Sequence, residues 1–257
     1  MSSVAVAAGT TNTHRRHVNE HRFYAAVCVL AVGVSIAGFG PAILSPAGRA
    51  VPLPMTMVVA VHAVAASAWL ALFLLQVTLV STGRVALHRR LGLTGVVLAI
   101  VFVISGCLAS VAEARRGFDL SGDLVPAGAT AEAWFVLAPI NGFVLFAVMF
   151  GMALWYRRRP DVHKRLMALT VLGAMLGAPI AHLVGHYPVL QAGGGALAPL
   201  ANAAFLSLSA IHDRWAYGRV HPASRWGGLG AFAWLFVFFT FIAPTPAWRA
   251  FTEWLIR

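Results

Sequence analysis

The feature that most constrains this chain is a pair of apolar runs between Pro54 and Ser110, joined by a short basic turn. The first reads MTMVVAVHAVAASAWLALFLLQVTLV, the turn STGRVALHRRLG and the second LTGVVLAIVFVISGCLAS. A helix needs about 20 mostly apolar residues to cross about 30 Å of hydrocarbon, and both runs reach that length. Hydrocarbon offers no partner to backbone N–H and C=O groups, so a segment of this kind closes its hydrogen bonds internally as a helix. The expectation is an all-α integral membrane bundle.

Composition agrees. The chain is 60% hydrophobic and 11% charged, where soluble domains carry about 25% charged residues. Its net charge of +11 is no sign of nucleic-acid binding. The basic residues fall in short segments between apolar runs and form no continuous basic surface. Cys28 and Cys107 both lie inside apolar runs without C-x-x-C spacing, which leaves a zinc knuckle or c-type haem attachment unsupported.

The hydropathy pattern predicts seven spans, near 23–44, 55–81, 91–112, 131–156, 164–186 (broken at Ala178-Pro179), 196–212 and 226–243. Residues 1–22 read as a flexible cytoplasmic tail, and 23–257 as one transmembrane domain with a short amphipathic end. With the N-terminus inside and the C-terminus outside, fourteen of the nineteen lysines and arginines face the cytoplasm. Positive charge favours that side, so this is the expected topology for a multi-pass protein of a bacterial inner membrane. The outer segment 113–132 is the acidic one, with Glu113, Asp119, Asp123 and Glu132. Asp213 reads as a local partner of Arg214.

This topology sorts seven histidines into two layers. His62, His182 and His186 fall in the outer half. His88, His163, His212 and His221 fall at the inner face, the first three of them beside Arg or Lys. Polar groups inside a membrane are costly and mark candidate functional positions. His182 and His186 are four apart, while His62, Trp69 and Gln76 are spaced by seven and share one helix face. One reading has His62 share a ligand with His182 or His186, with Trp69 and Gln76 lining that pocket, and has His88 pair with His163 or His212. Neutral imidazole suits haem iron and copper, so haem b is the expected cofactor and copper the alternative. The other reading has the histidines hydrogen-bonded to carbonyls or wetted at the interfaces. No H-E-x-x-H, serine-hydrolase, P-loop or dinucleotide fingerprint is present.

The segments L-H-R-R-L-G (87–92), V-H-K-R-L-M (162–167) and D-R-x-x-x-G-R-V-H-P (213–222) carry a resemblance. With His62 and Gln76 they resemble a group of uncharacterised bacterial multi-pass membrane proteins. The matching positions are His88, Arg89, Gly92, His163, Arg165, Asp213, Gly218, Arg219 and His221. More distantly, the chain is similar to histidine-rich membrane proteins associated with haem or copper and with oxidase maturation. That resemblance implies a role in transmembrane electron transfer or respiratory-complex assembly, with respiratory-chain components as partners. An electron carrier or accessory protein is expected ahead of a substrate-converting enzyme. The rivals are a non-catalytic accessory subunit and a metal-free permease for small molecules or lipids.

Overall fold

A computed structural model describes residues 3–44, 55–117, 132–191 and 197–257. Most of the acidic 113–132 segment and of the Gly-rich stretch 191–198 therefore lies outside the described residues. Within them the chain is helical and has no strand. Six helices are long and apolar enough to cross a membrane, the last of them Pro222–Ile242.

Helix α1 runs Ser3–Leu44, beginning within the expected tail, and its apolar window is Glu20–Pro41. Helices α2 (Met57–Ser81) and α3 (Val85–Arg115) form the hairpin anticipated from the opening motif. Thr56 starts α2 by accepting a bond from the Val59 N–H, and Gly83 turns the corner at φ +75°. A left-handed φ is cheap only for glycine. Next come α4 (Ala133–Val136) and α5 (Ile140–Trp155), separated by a turn at Pro139.

The fifth crossing is the axle of the bundle and the most buried of the six. It comprises α6 (Pro160–Leu169), a π-helical stretch Thr170–Met175 and α7 (Gly177–His186). The expected break at Ala178-Pro179 sits one turn earlier in the structure. Proline lacks an N–H, and its ring crowds the carbonyl four residues back. For Pro179 that carbonyl belongs to Met175, where the π-helical stretch ends.

Short α8 (Pro188–Gln191) precedes α9 (Leu197–Tyr217). Gly218 (φ +72°) ends α9 and returns its N–H to the Arg214 carbonyl at 3.0 Å, as C-terminal glycines do. The chain finishes with α10 (Pro222–Val237), a π-helical stretch Phe238–Ile242 and α11 (Pro246–Ile256).

Small residues set the packing round the axle. A Cβ on Gly38 of α1 would lie 2.3 Å from the Pro179 carbonyl oxygen, so α1 and α7 touch backbone to backbone. Gly173 admits Leu206 of α9, and Gly177 faces Asn202 of the same helix. The Gly173-x-x-x-Gly177 spacing thus serves packing within the bundle. Large apolar side chains such as Val29, Ile36, Leu93, Val97 and Phe241 point outward, as lipid-facing residues do.

Candidate functional site

The sequence placed chemistry on histidines, and the structure distributes them over three environments. His62, on α2, turns to α3 and α5. Its ring stacks on Phe102 at 5.0 Å and meets Phe143 edge-on at 5.3 Å. Its Nδ1 lies 3.3 Å from the Ser105 hydroxyl oxygen. That hydroxyl donates its own hydrogen to the Phe102 carbonyl, so the oxygen is left to accept from Nδ1–H. The lone pair of His62 is then on Nε2.

His182, on α7, is buried against Phe39 of α1, and His186 meets Tyr187 edge-on. The ring and hydrogen-bond contacts of His62 are to α3 and α5, whereas His182 meets α1. The structure therefore turns His62 toward α3 and α5, and not toward the helix that carries His182 and His186. Trp69 is buried against Phe146 and Phe150 of α5, with ring centroids 5.1 Å apart in each pair. The Trp69 Nε1 and the Gln76 Oε1, which the sequence placed on one face, are both buried without a hydrogen-bond partner.

At the other end, His88 in the first turn of α3 lies within electrostatic reach of His163 on α6. His163 Nδ1 is 2.8 Å from the Ala153 carbonyl. A carbonyl only accepts, so this nitrogen carries the proton and Nε2 carries the lone pair. His88 Nδ1 is buried and has no partner. His212, on α9, belongs to a different wall. It stacks on Phe23 of α1 at 4.0 Å, and its buried Nε2 is likewise unpartnered. Among the described residues no three His, Cys, Asp or Glu side chains group as metal ligands.

The most elaborate constellation was not anticipated as a unit. Asp213 does not pair with its neighbour Arg214, whose guanidinium donates to the Gly218 carbonyl. Its partner is Arg165, 48 residues away on α6, through three bonds of 2.5 to 3.0 Å. Both side chains are buried, at 5% and 2% exposure. The Ser224 hydroxyl and the His221 backbone N–H also donate to Asp213, and Arg165 donates to the Asp161 carbonyl. Around this core, His221 Nε2 lies 3.1 Å from an Asp161 carboxylate oxygen, while Glu20 accepts from both Lys164 and Tyr217.

The H-K-R-L-M and D-R-x-x-x-G-R-V-H-P segments thus meet in one network that ties α6, α9 and α10 together. A buried ion pair holds only when its remaining donors and acceptors are satisfied, and here they are. The network reads as a clasp, with every strong group already engaged.

Among the described residues the fold is all-helical, with six helices suited to a lipid bilayer and polar groups gathered inside the bundle. The chain matches no protein-family model, no curated protein and no solved structure.

Proposed function

We propose that the protein is a seven-span bacterial inner-membrane protein that carries electrons, or assists respiratory-complex assembly, through a histidine-bound haem b or copper. The supporting observation is the pair His88 and His163. The Ala153 carbonyl fixes the His163 tautomer with Nε2 available, and His88, whose Nδ1 is buried without a partner, lies within its electrostatic reach. Metal-binding histidines use this arrangement, the second ring nitrogen being held by an acceptor. His62 has the same tautomer, held by Ser105. A bound haem or copper would supply one-electron chemistry. The chain's own residues would orient the ligands and keep water away.

The seventh span is α9. At 1.5 Å per residue it is about 30 Å long. Its polar residues Asn202, Ser209, His212 and Asp213 are buried, while Leu200, Ile211 and Trp215 face outward. The arginines then place the N-terminus in the cytoplasm and the C-terminus outside.

Enclosure of His62 by Phe102, Phe143 and Gly106 favours a second reading for the other layer, a structural role in a metal-free accessory protein. The test replaces His163 by Asn, whose amide N–H can keep the Ala153 bond while the Nε2 ligand is lost. His88→Phe is made in parallel, and haem and copper are counted per purified chain. Loss of the cofactor in both supports the proposal. Unchanged content in both overturns it.

A further inference from the structure

Two turns lie side by side at the end of the bundle that holds His88 and His163. One joins α2 to α3 and carries Arg84, Arg89 and Arg90. The other joins α5 to α6 and carries Arg157, Arg158 and Arg159. Gly106 of α3 lies against Phe143 of α5 and Phe102 against Phe146, so the two helices pack antiparallel and the start of α3 comes beside the end of α5. All six arginines are exposed, and among the described residues none pairs with a carboxylate. Of their donors, Arg157 spends one on the Leu154 carbonyl, and Arg159 lies over the Tyr156 ring at 6.0 Å. The rest are uncommitted.

The flank of this cationic surface is apolar. Trp155 is 81% exposed at the end of α5, and Val85 and Leu87 are exposed in the first turn of α3. An exposed tryptophan next to arginines at a helix end matches the headgroup level of a bilayer, where an amphipathic ring and a charge sit together. Guanidinium groups bind phosphate oxygens in bidentate fashion, and basic pockets between membrane helices take multiply charged lipid headgroups.

We propose that these two turns form a binding site for an anionic phospholipid with two phosphates. The arginines of each turn would hold one phosphate, and the acyl chains would lie along Leu87 and Trp155. Charge complementarity over two adjacent turns selects such a lipid over a zwitterionic one, and the apolar flank selects it over free phosphate. The proposal does not depend on any redox cofactor.

The test uses native mass spectrometry of the full detergent-purified chain with added cardiolipin, phosphatidylcholine or inorganic phosphate. Arg89→Gln with Arg158→Gln removes one guanidinium from each turn. Arg219→Gln with Arg225→Gln removes the same charge from the α9–α10 connection. At roughly fivefold per arginine, the first pair weakens cardiolipin binding about 25-fold. The second pair leaves most of it. All four residues are exposed, so both variants keep the wild-type melting temperature. Equal loss in the two variants, equal retention of phosphatidylcholine, or full displacement by millimolar phosphate overturns the proposal.

Discussion

Replacing Asp213 by Asn tests the internal clasp. The change keeps side-chain size and leaves an amide able to hydrogen-bond Ser224, but it deprives Arg165 of its counter-charge. Arg165 is 5% exposed and cannot swing into water without leaving α9 and α10. Removing one member of a buried pair costs about 3–5 kcal/mol, because the remaining charge stays desolvated. At about 2–4 °C per kcal/mol for a chain of this size, the unfolding midpoint in detergent falls by about 6–20 °C. Arg214→Ala is the control. Arg214 is exposed and holds only the Gly218 carbonyl, so its loss stays within about 0.5 kcal/mol. The double change Arg165→Met with Asp213→Leu removes both charges and is less destabilising than either single replacement. An Asp213→Asn protein that melts with the Arg214→Ala protein, in a scanning fluorescence assay of both, refutes the assignment of Asp213 to Arg165.

Four further outcomes follow from the packing, each read by thermal unfolding. Ser224→Ala removes a 2.5 Å bond to the same carboxylate and costs about 1–3 kcal/mol, less than Asp213→Asn. Gly38→Ala forces α1 away from the Pro179 carbonyl and costs about 1–3 kcal/mol. Gly33→Ala, with nothing within 4 Å of its new methyl, gains up to about 1 kcal/mol of helix propensity. Equal melting of these two glycine variants would contradict the close crossing. His212→Phe keeps the stack on Phe23 and removes an unpartnered buried nitrogen, so it is neutral or stabilising. A marked loss of stability in that variant means that His212 Nε2 has a partner.

Much of the helical framework was legible because hydrocarbon permits so few backbone solutions. The hairpin from Met57 to Arg115 follows from two apolar runs and a glycine turn, and the irregular fifth crossing follows from Pro179. The α9 helix was placed as well, though it continues to Tyr217, beyond the expected end. Its polar residues depress the hydropathy while facing the protein interior.

Contacts between helices were not legible. Nothing local distinguishes Arg214 from Arg165 as the partner of Asp213, since the choice depends on how α6 and α9 are rotated in the bundle. His62 shows the same limit. Seven-residue spacing put it on a face with Trp69 and Gln76, but that face meets α3 and α5. The Gly106 gap that admits its ring gave a usable signal, a glycine in the middle of an apolar span.

The most direct test of the central claim is the visible spectrum of the detergent-purified protein, oxidised and dithionite-reduced, with haem and copper analysis on the same sample. The expected spectrum has a Soret band that shifts on reduction with sharp α and β bands, or the sample holds stoichiometric copper in its place, either of them lost in His163→Asn. A colourless chain free of haem and copper, after expression with both supplied, would contradict the claim and leave the histidines as packing residues.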